Sequence, residues 1–391
     1  MNASLCTALV ISGGGAKGAF AVGVIRSLFE RFRETGWFSI VGGASTGALI
    51  APLAALMGCD ATAGREALGV LLREYSSVTT PEILERRSLA AFLRRRDCLH
   101  SSSPLRRRIE RLFLPEYFQL LRRSSAPECY VVYTNYASGE RVVASPRDRG
   151  MDRERFVAAM LASASVPVLM EATLIDGEPC YDGSVRDLLP LQRAIELGAE
   201  VILPVFLDPR DPRKAAGSSQ SRRADKVLLR TLEIMLDETL RNDLEAARVV
   251  NLAVRARRQI MATLRRSPRA RARVRALLAR PEYASLFGPD KRLVRIVEGL
   301  RPEVALTDNA LRFDPEAMRR WMLMGALCAQ AVVAESPFEG RTPYLDGGAG
   351  HLRPRRSHRA GHWNAGTSAT THAGHAGPSP AVALPGPGSA S

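Results

Sequence analysis

The chain has 391 residues, 46% of them hydrophobic and 24% charged, a composition that excludes a wholly disordered, collagenous or coiled-coil protein. At this length one large α/β domain with additions, or two domains, is expected. The formal net charge of +15 would suit a nucleic-acid binder. However, fourteen of those charges sit in two acid-free stretches, ten arginines in Arg255–Arg280 and four in His351–Ser391, and the remainder is close to neutral.

Thr7–Ser12 is a short apolar run ending in glycines, which predicts a buried strand. Ala19–Arg33 follows with Ala21, Val24, Ile25, Leu28, Phe29 and Phe32 on one helical face. Trp37–Val41 predicts a second strand, which leads through Gly42–Gly47 into an Ala/Leu-rich helix ending near Met57. Strand, glycine turn, helix, repeated, is the rhythm of a parallel α/β sheet. Residues 41–59 carry no charge, but their glycines and Pro52 favour a strand, turn and helix over a membrane span.

Residues 60–125 read as mostly helical, Cys129–Tyr133 and Glu140–Val143 as a strand pair, Phe156–Ala164 as a helix and Val201–Phe206 as a buried strand. Asp208–Asp225 turns to Pro, Gly, Ser and Arg, which marks a linker. Lys226–Val254 has helical periodicity, and the arginine block follows it. Leu293–Val297 and Asp314–Ala334, with Pro315 in the first turn, predict a strand and a helix that return to the core. After His351 the chain is Gly, Pro, Ser, Ala, Thr and His, a composition that predicts disorder. The expected organisation is a core over 5–209, a linker and Arg-rich helical insertion over 210–292, a return to the core over 293–350 and a disordered tail over 351–391.

The six cysteines show no C-x-x-C pair, so neither a metal knuckle nor a disulfide framework is expected. The N-terminus lacks the basic and apolar regions of a signal peptide, so a cytoplasmic or peripheral-membrane location is expected.

Two glycine motifs carry the chemistry. Gly13-Gly14-Gly15-Ala16-Lys17-Gly18 fits G-x-G-x-x-G between a strand and a helix, so a dinucleotide turn is one reading. The second strand ends in Gly42-Gly43 where that fingerprint wants an acid, and no Ser or Thr follows Lys17 as a P-loop requires. The other readings are an anion hole of backbone N–H groups and a plain tight turn. Gly43-Ala44-Ser45-Thr46-Gly47 is a G-x-S-x-G, in which the glycines make room for a sharp strand-to-helix turn that exposes the serine. A nucleophile or a structural turn both fit it.

A nucleophilic serine needs a base. Five of the six histidines lie in the tail, and His100 sits in an Arg/Ser-rich stretch, so a carboxylate is the better candidate. Asp182, in Tyr181-Asp182-Gly183-Ser184, and Asp346, in Leu345-Asp346-Gly347-Gly348, both qualify.

The ordered set G-G-G-x-K-G, G-x-S-x-G and D-G-S resembles the patatin-like phospholipase family of lipid acyl hydrolases. Ala162-Ser163-Ala164-Ser165-Val166-Pro167, Pro190-Leu191 and Ala194–Ala199 add to the likeness, which runs from about Leu5 to Leu207 and returns faintly over Leu300–Ala331. The resemblance implies a patatin-like, mostly parallel sheet with helices on both faces. It implies a Ser45–Asp182 dyad, choosing Asp182 over Asp346, and an oxyanion hole of N–H groups from Gly13, Gly14 and Gly15. Lys17, Gly18, Gly43, Gly47 and Gly183 would support these motifs, with Lys17 shaping the loop or meeting an acidic headgroup. The implied substrate is a fatty-acyl ester of a phospholipid or related lipid, with no metal or cofactor required. Ser184 departs from the motif's usual Gly or Ala, and residues 226–290 have no counterpart in it.

The arginine block reads as a contact for anionic membrane, a nucleic-acid footprint or a solvated face; having no aromatic residue over 255–280, it is poorly suited to stacking on single strands. The rivals to a lipid hydrolase are a nucleotide-binding oxidoreductase using Gly13–Gly18 and a non-catalytic lipid-surface protein of the same fold. The sequence is silent on oligomeric state.

Overall fold

The computed structural model describes residues 5–32, 36–86, 98–210, 224–288, 291–307 and 309–334. The tail histidines and Asp346 lie outside them.

The strands are β1 (Thr7–Ile11), β2 (Ile40–Ala44), β3 (Glu85–Arg86), β4 (His100–Ser101), β5 (Glu128–Asn135), β6 (Arg141–Ala144), β7 (Thr173–Ile175), β8 (Glu178–Asp182), β9 (Val201–Val205) and β10 (Arg295–Ile296). The helices are α1 (Gly18–Phe32), α2 (Thr46–Leu56), α3 (Ala61–Ser77), α4 (Thr80–Ile83), α5 (Ser103–Leu112), α6 (Pro115–Arg122), α7 (Arg153–Ser163), α8 (Leu191–Glu196), α9 (Ala224–Thr263), α10 (Pro268–Leu278), α11 (Pro281–Phe287) and α12 (Pro315–Ala334). The main sheet runs β10-β9-β1-β2-β5-β8-β7, with β6 also paired to β5. From β10 to β5 the pairs are parallel, and β6, β7 and β8 join antiparallel.

Parallel strands are buried on both faces, so alternate side chains feed two different cores. Leu9, Ile11, Val41, Val131, Leu203 and Val205 enter the larger core with α1, α2, α3 and α7. Ala8, Val10, Ile40, Val132 and Ile202 enter the smaller one with Leu191 and Ala194 of α8 and Leu240, Leu244 and Ala247 of α9. The middle of α9 therefore covers the second face of the sheet. Asn251 ties it there, its side chain accepting from the Val294 N–H and donating to the Val294 carbonyl just before β10. Beyond Val254 the picture changes: α10 has no buried residue, and the arginine block is largely exposed.

Helix α1 is buried on nearly every side rather than on the single face its periodicity predicts. Helix α12 covers the rest, and the two backbones touch where one of them has a glycine: a Cβ on Gly23 would meet the Met322 carbonyl oxygen at 1.9 Å, and one on Gly325 the Phe20 oxygen at 2.0 Å. The β7–β8 hairpin adds a strand pair that the apolar runs do not predict, and Asp176-Gly177, at φ 53° and 82°, is its two-residue turn, of the kind that matches strand twist. Residues 41–59 form the end of β2, a sharp turn and α2, and among the described residues no helix is long and apolar enough to cross a membrane.

Candidate active site

Sheet register brings Ser45 and Asp182 together from 137 residues apart. Along one edge of β5, Val132 is opposite Ala44 of β2, and the next residue, Tyr133, is opposite Asp182 of β8; β6 occupies the other edge. Strand β8 thus takes over the edge where β2 leaves it, and the residue after Ala44 meets the last residue of β8. Ser45 Oγ donates to Asp182 Oδ2 at 2.7 Å, and both residues are buried.

The turn that holds Ser45 is strained, with φ 53° and ψ −124°. Its flanking glycines are required by contact: a Cβ on Gly43 would meet Gly47 at 2.4 Å, and one on Gly47 the Ile11 carbonyl oxygen at 2.3 Å. Gly18 abuts Thr46, and Gly183 abuts the Val132 carbonyl. Ser45 also stands at the N-cap position of α2 without a side-chain cap bond, so its hydroxyl lies at the positive end of the helix.

Two serines beyond the expected set clamp the pair. Ser163 Oγ accepts from the Ser45 N–H at 2.9 Å and donates to the Val132 carbonyl, and the Ser165 carbonyl accepts from the Asp182 N–H at 2.9 Å. Both lie in the A-S-A-S-V-P stretch at the end of α7, a signal present in the sequence without a role attached. Burial pushes the Asp182 pKa up to about 6; donors from Ser45 and the Ser184 amide pull it back, as does the nearby Ser184 side chain.

The glycine loop faces this pair. Of the three N–H groups expected to face an oxyanion, that of Gly13 is already donated to the Leu188 carbonyl at 3.0 Å. Gly14 and Gly15 keep their N–H groups unbonded, and Gly15, at φ 54°, is pressed against the Ala310 carbonyl, where no side chain would fit. Lys17 is buried with its Nζ 2.7 Å from both carboxylate oxygens of Asp208, which turns it inward as a strap on the loop.

A family model described as patatin-like phospholipase matches residues 9–195. That is the family whose motifs this sequence resembles. Among solved structures, the chain is similar to VipD from Legionella pneumophila, at 14% identity and a TM-score of 0.34, over 84% of this chain and 67% of that one.

A cavity of about 340 Å³ reaches Ser45, Asp182 and the glycine loop. Its wall is mainly apolar, including Leu53, Leu71, Ile109, Leu112, Phe113 and Met170. The cations on the wall are matched: Lys17 pairs with Asp208, and Arg108 with Glu74 and Glu82. Exposed Val185 and Ile234 stand on its rim. His100 lies outside it, its Nδ1 3.2 Å from the Leu169 carbonyl oxygen. Among the described residues no cluster of His, Cys, Asp and Glu could hold a metal ion.

Proposed function

We propose that this protein hydrolyses fatty-acyl esters of phospholipids or related lipids, with Ser45 as nucleophile and Asp182 as its base. The observation that carries this is the 2.7 Å Ser45–Asp182 hydrogen bond at a strained helix N-terminus, open to an apolar cavity. A carboxyl that titrates near pH 6 is ionised at neutral pH and still close enough to work as a proton acceptor.

In the first half-reaction Ser45 Oγ attacks the ester carbonyl carbon and its proton passes to Asp182. The tetrahedral oxyanion is held by the N–H groups of Gly14 and Gly15 and the first turn of α2. The C–O bond to the alcohol then breaks, the alcohol leaves with the Asp182 proton, and the acyl group stays on Ser45. The apolar wall takes the chain, and its matched charges offer no competing site for an anionic headgroup. Water completes the cycle through the same base. The rim formed by Val185 and Ile234, together with the Arg255–Arg280 block, supports contact with an anionic lipid surface.

Ser45→Ala is expected to abolish labelling by a fluorophosphonate probe and to cut fatty-acid release from phospholipid vesicles by on the order of 10⁴-fold or more. Retained release in a folded variant sinks the reading. A lipid panel read by mass spectrometry, with this variant as control, gives the headgroup and acyl position.

A further inference from the structure

In the resting site the Asp182 carboxylate accepts two hydrogen bonds, from Ser45 Oγ at Oδ2 (2.7 Å) and from the Ser184 N–H at Oδ1 (2.8 Å). The proposed chemistry removes the first of these halfway through. Once Ser45 carries an acyl group its Oγ has no proton to donate, and a buried carboxylate is left with one donor. A buried carboxylate that loses a donor becomes harder to ionise. It does so at the moment when it must be ionised to accept a proton from water.

A replacement donor stands beside it. Ser184 is 4% exposed and lines the cavity, and its buried Oγ, near enough to Asp182 to help lower its pKa, makes no well-formed hydrogen bond in the resting site. Buried hydroxyls are nearly always paired, so an unpaired one calls for a reason. The glycine loop leaves this hydroxyl its space: a Cβ on Gly13 would come within 2.1 Å of it. The main chain already holds Ser184 against Asp182 through its N–H, so a turn about one side-chain bond changes what the hydroxyl addresses.

We propose that Ser184 is a positioning residue for the second half-reaction, its hydroxyl turning to donate to the Asp182 carboxylate once the Ser45 hydroxyl has been consumed. This rests on the Ser45–Asp182 reading of the site. With the carboxylate kept ionised, water attacks the acyl carbon while one of its protons passes to Asp182. The bond between the acyl carbon and Ser45 Oγ then breaks, the acid leaves, and the Asp182 proton returns to Ser45. No other reactant is needed.

Other charges do not substitute for Ser184. Of the elements packed around Asp182, the turn before α2 brings Ser45, strand β5 brings Tyr133, the end of α7 brings Ser163 and Ser165, and the glycine loop brings Lys17. Burial pushes the Tyr133 phenol up to about 12, so it stays neutral, and Lys17 is bound to Asp208.

The test separates the two half-reactions in Ser184→Ala, which removes the hydroxyl and fits the same space. Fluorophosphonate labelling at pH 8 reports acylation, and stopped-flow release of p-nitrophenol from a p-nitrophenyl ester reports the burst and the steady state from pH 4.5 to 8.5. Acylation at pH 8 is expected to stay within about twofold of wild type, while the acidic limb of deacylation moves up by about one pH unit, a tenfold slowing at pH 6 with a burst. Ser184→Thr, which restores a hydroxyl, is expected to bring the limb back. Coincident acidic limbs in Ser184→Ala and wild type overturn the proposal, as does an equal loss in both half-reactions. So does a wild-type deacylation limb already a full unit above its acylation limb, a result that needs no variant. Labelling that persists in Ser45→Ala would instead overturn the underlying reading of the nucleophile.

Discussion

Asp182 shows at the residue scale how the chemistry and the stability of this site pull apart. Burial raises its pKa to about 6 from an ordinary 3.8, so between about pH 4 and pH 6 the folded chain holds a proton that the unfolded chain has released. The stability of the neutral form is therefore complete below about pH 4 and is lost as the pH rises through about 6. Above that the ionised carboxylate costs the fold roughly 3 kcal/mol. Asparagine keeps the shape without the charge: its oxygen can accept from the Ser184 N–H and its amide can donate to Ser45 Oγ. Asp182→Asn is expected to lose ester hydrolysis by at least roughly 10³-fold. It is also expected to melt a few degrees higher than wild type at pH 8, with the difference vanishing at pH 4. Melting curves and hydrolysis rates at both pH values check this; full activity in the variant would take the base away from Asp182.

At the scale of elements, what was legible in the sequence is what is local. Gly43 and Gly47 announce the Ser45 turn because the residues they make room for are two to four positions away or on the adjoining strand. The partner of the Gly13 N–H, Leu188, is far along the chain, so nothing in the glycine motif itself reveals that this donor is already committed. The meeting of Ser45 with Asp182 depends on two strands sharing one edge of β5, a matter of register that motif order implies but periodicity does not. Helix α9 lies in the stretch expected as a linker and helical insertion, residues 226–290 having no counterpart in the family's motifs. Leu240, Leu244 and Ala247 nevertheless form the cover of the second sheet face. Asn251 is the point where that cover is fastened, with both of its bonds to Val294 buried. Asn251→Ala leaves a backbone N–H and C=O unpaired and is expected to destabilise the protein by about 1–3 kcal/mol in urea unfolding. Arg273→Gln, on exposed α10, is expected to stay within about 0.5 kcal/mol of wild type. Equal effects would mean that α9 is not anchored at Asn251.

For the whole molecule, the net charge of +15 has to act away from the cavity, whose cations Lys17 and Arg108 are already paired. Ten of those charges lie in Arg255–Arg280, and most of these arginines are exposed. Arg257 is different, because its guanidinium is taken up by the Phe287, Gly288 and Lys291 carbonyls and serves the fold. Arg266, Arg269 and Arg273 are exposed and can face an anionic surface. Each arginine near such a surface contributes about 1 kcal/mol, so replacing these three with glutamine should weaken binding to vesicles containing phosphatidylserine by about a hundredfold. Binding to purely zwitterionic vesicles, where the apolar rim alone acts, should not change. Raising the salt from 0.1 M to 1 M shortens the screening length from about 10 Å to about 3 Å and should abolish the difference between wild type and the triple variant. Hydrolysis of a soluble short-chain ester should be unaffected throughout, since none of the three lines the cavity. Vesicle sedimentation at the two salt concentrations, with that ester as control, decides the matter. If wild type and variant bind anionic vesicles equally at low salt, the arginine block is a solvated face, and the lipid surface is met by the rim of the cavity alone.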